Sequence, residues 1–172
     1  AIEARNRAFI ETVRQIANAS PEATLDEAPT HIFTRHIEEP LPRYPAIVAG
    51  SSVRQSLNAA LQHLLETDAR TLLIGEDLHD PYGGAFKVTQ GLSTEFPGRV
   101  ISTPISEAGI TGASIGLSLD GFLPVMEVMF ADFLSLCMDQ LFNHAVKFPG
   151  MFSDVAVPLV IRTPCGGRRG YG

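Results

Sequence analysis

The run Thr71-Leu72-Leu73-Ile74-Gly75 constrains the fold of this chain more than any other stretch. It shows no alternation of apolar with polar residues and is too short for a helix, so it predicts a strand buried on both faces. Such strands belong to parallel sheets. Three more short apolar segments, at residues 99–102, 123–130 and 157–162, follow with helical patterns between them. Strands alternating with helices predict an α/β fold, a parallel sheet flanked by helices on both faces.

Ser51 or Ser52 is placed to cap a helix in which Val53, Leu57, Ala60, Leu61, Leu64 and Leu65 form one stripe. A loop at 76–87 leads to a short helix that ends near Phe96, where Pro97-Gly98 breaks it. Residues 108–116 read as a helix of small side chains. Phe133, Leu134, Cys137, Met138, Leu141, Phe142 and Ala145 mark one face of a longer helix. Ahead of this domain, residues 1–18 suit a helix, with Ile2, Phe9, Val13 and Ile16 at roughly helical spacing. Pro21, Pro29, Pro40, Pro42 and Pro45 then punctuate an extended connector. The expected division is a helix plus proline-rich linker or arm at 1–50 and a main domain at 51–172. A docked arm and a disordered tail with a chance helix both fit the first part. The chain opens inside a helical pattern and closes on Gly166-Gly167-Arg168-Arg169-Gly170-Tyr171-Gly172. It is therefore expected to be a piece of a larger enzyme, with the main domain truncated at its C-terminus.

Composition narrows the function. With 172 residues, 45% of them hydrophobic, the chain can bury a substantial core. A net charge of −6 disfavours nucleic acid and anionic membranes as partners. No apolar run is long enough to cross a bilayer, and the first residues lack a signal-peptide plan. Cys137 and Cys165 suggest neither a zinc cluster nor a disulfide framework. A cytoplasmic protein is expected.

Three predicted strand ends carry the informative residues: Glu76-Asp77, Glu107, and Glu127 through Phe133. In a parallel sheet these ends share one edge, where open α/β sheets bind ligands. Glu107 follows a strand and Pro104, with Ile105, Ile110 and small residues around it. That setting points to a partly desolvated carboxylate with adjustable protonation. Position alone leaves open a plainer role, the capping of the next helix. Carboxylates with aromatics at one edge suit a flat heterocycle, which offers ring nitrogens to bond and a face to stack. Periodicity alone favours core packing for Phe130 and Phe133 and, more strongly, an ordinary alternating strand position for Glu127, while Glu76-Asp77 could simply cap or solvate a turn. Gly109, Gly112, Ala113 and Gly116 permit close packing of their helix. No G-x-G-x-x-G or P-loop is present, and the final glycines and arginines read as a solvated loop. His79 and His144 have no spacing for a metal or a nucleophile.

Several motifs in unbroken order carry a family resemblance. They include Gly75-Glu76-Asp77, the run from Tyr82-Gly83-Gly84-Ala85-Phe86-Lys87 to Leu92, and Thr103-Pro104-Ile105-Ser106-Glu107-Ala108-Gly109. Glu127-Val128-Met129-Phe130-Ala131-Asp132-Phe133, Met138-Asp139-Gln140 and Asn143-His144-Ala145-Val146-Lys147 continue the series. Residues 51–172 thereby resemble the beta subunit of thiamine-diphosphate-dependent 2-oxo acid dehydrogenases, in its pyrimidine-binding domain of the transketolase-like superfamily. The resemblance implies that Glu107 hydrogen-bonds an aminopyrimidine nitrogen and activates the cofactor for decarboxylation of a 2-oxo acid. It implies that Phe133 packs on the pyrimidine with Met129 beside it, that Ile105 and Ser106 adjoin the ring, and that Glu76 is a second acidic residue near it. Magnesium and the diphosphate are implied to sit on an alpha subunit or alpha domain, since the Gly-Asp-Gly motif that holds them there has no match here. The implied partners are that alpha part, a lipoyl-bearing acyltransferase that receives the acyl group, and a second beta region. A histidine that the family carries after the last glycine-rich loop falls beyond this sequence. Other readings are a transketolase-like or deoxyxylulose-phosphate-synthase-like enzyme and a noncatalytic assembly subunit. Nothing in the sequence chooses between pyruvate, branched-chain and acetoin-type substrates.

Overall fold

The computed structural model describes residues 2–22 and 51–166. The chain divides into two compact units, Ala1–His36 and Ile37–Gly172. In the first, α1 (Ile2–Ala19) is a single helix with exposed Ile2, Phe9, Val13 and Ile16 and the surface ion pairs Arg7–Glu3 and Arg14–Glu11. Most of the expected proline-rich connector, residues 23–50, lies outside the described residues.

The second unit is built on a parallel sheet. Helix α2 (Val53–Thr67) starts where the sequence expects, at Ser52. The Ser52 hydroxyl accepts the Gln55 N–H while the Gln55 side chain accepts the Ser52 N–H, a reciprocal cap that satisfies two otherwise orphaned donors. Strand β1 (Thr71–Glu76) follows, then α3 (Leu92–Glu95), β2 (Val100–Thr103), α4 (Glu107–Leu119) and β3 (Leu123–Glu127). Helices α5 (Leu134–Gln140) and α6 (Lys147–Met151) precede β4 (Val160–Arg162). The strand order is β2-β1-β3-β4, parallel throughout. All six residues of β1 are buried, as its unbroken apolar run requires. Leu73 joins Leu61, Leu65, Leu92 and Val125 on the α2 face, while its neighbour Ile74 packs with Ile110, Met126 and Cys137 on the other.

Three expected elements are shorter or broken. Strand β3 stops at Glu127, three residues before Phe130, because its partner β4 ends opposite it at Arg162 and the chain then turns at Ala131–Phe133. Strand β4 begins at Val160 rather than 157, since Pro158 has no N–H for the ladder and its carbonyl is taken by the Ser118 hydroxyl at 2.8 Å. The long helix after Phe133 breaks: α5 ends at Gln140 and a wider π turn, Leu141–Val146, leads into α6. Its expected single stripe divides accordingly, with Leu134, Cys137 and Leu141 in the core and Met138 and Phe142 exposed.

Gly75 is fixed by close approach. A Cβ there would lie 2.7 Å from the Glu127 carbonyl oxygen, a backbone atom of the neighbouring strand.

Candidate active site

The carboxyl edge of the sheet gathers acidic and aromatic side chains from three strand ends. At the end of β1, Glu76 is only 6% exposed. Register pairs it with Thr103 of β2, so the turn that leaves β2 runs beside it, and the Ser106 N–H in that turn acts on its carboxylate. Glu107 is the next residue and opens α4. Its backbone is held from both sides: the Thr111 hydroxyl donates to its carbonyl at 2.6 Å, and the Cys137 thiol approaches the same oxygen at 3.7 Å. Cys137 Sγ also lies 3.8 Å from the Phe133 carbonyl. One buried thiol thus seats the start of α4 against the turn that carries Phe133.

Burial pushes the Glu76 carboxyl above the usual range, and the neighbouring Glu107 carboxylate pushes it further, against the lowering effect of the Ser106 N–H. The more deeply buried carboxylate is therefore Glu76; Glu107 is half-buried. Nor does Ile105 enclose Glu107, for it is 79% exposed, while Ile110 sits in the core beneath α4. An acid whose pKa is raised on folding contributes its stability below the unfolded value, near 4.5, and loses it as pH rises through the folded value. Glu76→Gln removes that loss. Melting curves between pH 5 and 8 should show the variant gaining on the parent chain as pH rises, and a constant difference would mean that Glu76 is not strained by burial.

Glu127 departs most from its sequence reading. It is not an ordinary alternating strand residue but a buried charge, 5% exposed, ion-paired with Arg162 on β4 and accepting the Ala85 N–H at 3.0 Å. That bond ties the β1–α3 loop to the sheet. The loop carries Phe86, which the sequence reading missed: its ring stands edge-on to Phe130 at 6.5 Å, and Phe130 stands edge-on to Phe133 at 5.9 Å. Phe133 is 38% exposed and Met129 half-buried, so neither is wholly a core residue. Asp77, Phe86 and Lys87, all on this loop, have φ between 53° and 59°. Such conformations are rare for residues with a Cβ and collect at functional sites.

Glu76 Oε1, Thr103 Oγ1 and Thr163 Oγ1 are buried without a hydrogen-bond partner among the described residues. All three lie at or just beyond strand ends on this edge. Among the described residues no group of three acidic, histidine or cysteine side chains is placed to hold a metal ion, and no helix is long and apolar enough to cross a membrane. Residues 167–172, the end of the glycine-rich segment, lie outside the described residues.

Residues 49–171 match the family described as transketolase, pyrimidine binding domain. A pyruvate dehydrogenase E1 component subunit beta of Leifsonia xyli subsp. xyli is 40% identical over 136 residues, covering 78% of this chain and 39% of that protein. An acetoin:2,6-dichlorophenolindophenol oxidoreductase subunit beta of Cupriavidus necator is 37% identical over 125 residues, covering 67% of this chain and 37% of its own length. A 2-oxoisovalerate dehydrogenase subunit beta of Pseudomonas aeruginosa is 37% identical over 122 residues, covering 70% and 35%. The chain therefore spans less than half the length of these curated relatives. A parallel sheet with acidic and aromatic residues along its carboxyl edge, together with the match over residues 49–171, shows that this chain belongs to the transketolase pyrimidine-binding-domain family.

Proposed function

We propose that the chain forms the pyrimidine-binding half of the active site of a thiamine-diphosphate-dependent 2-oxo acid dehydrogenase. The observation that carries this reading is the seating of Glu107 beside buried Glu76 and, through Cys137, against the turn bearing Phe133. The donor set suits an aminopyrimidine. Glu76 Oε1 and Thr103 Oγ1 are buried polar atoms with bonding capacity to spare, and Phe133 offers a partly exposed ring. Glu107 and Glu76 would meet the polar edge of the pyrimidine, with Ser106 and Ile105 alongside and Phe133 and Met129 against its face. When bound, the cofactor supplies the carbon nucleophile that decarboxylation of a 2-oxo acid requires. Glu107 would hold or release a proton at its carboxylate toward the bound ring, with Glu76 as a second, more deeply buried carboxyl beside it.

The relatives' names favour a 2-oxo acid or acetoin substrate over transketolase-like chemistry. The names "subunit beta" support an alpha partner, to which we assign the diphosphate and magnesium, because no Gly-Asp-Gly occurs in this sequence. A lipoyl-bearing acyltransferase would take the acyl group, and a second beta region would pair with this one. Exposed Met138, Phe142, Val146 and Met151 supply an apolar surface for such contacts. Residues 1–50 would be an arm outside the family domain. Free thiols at Cys137 and Cys165 are consistent with a reducing compartment such as the cytoplasm.

Phe133→Ala tests the reading in the assembled alpha–beta enzyme. Loss of a stacking platform should weaken thiamine diphosphate by about 1–3 kcal/mol, measured by calorimetry with magnesium present. A variant that melts earlier but binds the cofactor as before would make Phe133 a packing residue only.

A further inference from the structure

The loop between β1 and α3 holds two successive residues with a Cβ in the left-handed region, Phe86 (φ 59°, ψ 20°) and Lys87 (φ 59°). Strain of this kind persists only where the surroundings over-determine it. Here they do. The Ala85 N–H is held by Glu127 Oε1 at 3.0 Å, and the Lys87 N–H by the Gly84 carbonyl at 3.0 Å. The Lys87 carbonyl accepts Arg54 of α2 at 3.3 Å, and Asn58 of the same helix grips the Val88 and Gln90 carbonyls at 2.7 and 3.1 Å. Gly84 lets the loop press onto the ion pair, since a Cβ there would stand 3.1 Å from Glu127 Oε1 and 2.7 Å from Thr89 Oγ1.

What all this fixing presents is a ring left partly open to solvent. Ala85 and Val88 on either side are buried, yet Phe86 remains 42% exposed. One of its ring contacts runs toward the site: edge-on to Phe130, which is itself edge-on to Phe133.

Resting on the function proposed above, we propose that Phe86 is a positioning residue. Anchored by the Glu127–Arg162 pair through Ala85, it braces Phe130 and so fixes the ring of Phe133 against which a pyrimidine would pack.

Glycine substitution separates this role from a structural one. Phe86→Gly removes the ring but relieves the left-handed backbone, so folding stability should be held or raised. Thiamine diphosphate and, separately, inorganic pyrophosphate are titrated with magnesium into the assembled alpha–beta enzyme, and melting temperatures are recorded. The Gly variant should bind thiamine diphosphate about three- to tenfold more weakly. Its pyrophosphate affinity should not change, because that probe has no ring to place, and Phe86→Tyr should restore binding. If the Gly variant does not assemble, Phe86→Leu replaces it, with a smaller loss in the same direction expected. Unchanged thiamine diphosphate affinity, while Phe133→Ala in the same assembly weakens it, overturns the brace and leaves the functional reading standing. If neither variant alters cofactor affinity, the functional reading falls and the brace with it. Parallel losses of stability and of both affinities would make Phe86 structural and overturn the proposal.

Discussion

Glu107→Gln in the assembled enzyme should lower turnover by about a hundredfold or more, the scale expected when a positioned acid–base group is lost. The change is nearly isosteric. The bonds that start α4 run to backbone atoms, from the Ile110 N–H to the Ser106 carbonyl at 2.8 Å and from Thr111 to the Glu107 carbonyl, and they survive the substitution. The fold and its assembly should therefore be unaffected, with a melting temperature close to that of the parent. What disappears is a carboxylate that can hold and release a proton. A second readout belongs to the same variant: without the neighbouring negative charge, the Glu76 carboxyl should move back toward the ordinary range, though burial still holds it up. Carbon-13 carboxyl shifts followed against pH would report that movement. Turnover near that of the parent would remove Glu107 from the role assigned to it.

The parts of this arrangement that were legible in the sequence are those whose cause is local. The β1 run does not alternate apolar with polar residues, so its burial on both faces follows from its pattern. Ser52 with Gln55 three residues on is a reciprocal cap readable as a pattern. Glu107 could be placed past a strand and at a helix start because Pro104 and the small residues after it mark the turn. The parts that escaped depend on register. Glu127 is a buried charge only because β4 sets Arg162 opposite it, 35 positions along the chain. Glu76 comes beside Glu107 only because β1 pairs it with Thr103. The left-handed turn at Phe86 also has no local signature, since its preceding glycines fit many loops. Ile105 failed for the opposite reason: an apolar side chain in a short turn was expected to shield its neighbour, and it projects into solvent instead.

The largest loss of folding stability should follow from breaking the Glu127–Arg162 pair on one side only. Arg162→Met leaves the Glu127 carboxylate, 5% exposed in the parent, with the Ala85 N–H as its remaining donor among the described residues, and uncompensated buried charges of this kind cost about 3–5 kcal/mol. Removing both charges is a different experiment. Glu127→Gln with Arg162→Met keeps an acceptor for Ala85 and strands no ion, so the double variant should be more stable than Arg162→Met alone. Chemical denaturation of the parent and the two variants measures both differences. The Glu127 carboxylate also holds the loop that carries Phe86, so the single variant should additionally speed amide exchange at Ala85. In the double variant, which strands no ion to be drawn toward water, that exchange should stay slow. A single variant within about 1 kcal/mol of the parent would mean that water or another group already satisfies Glu127 and that the pair does not anchor the loop.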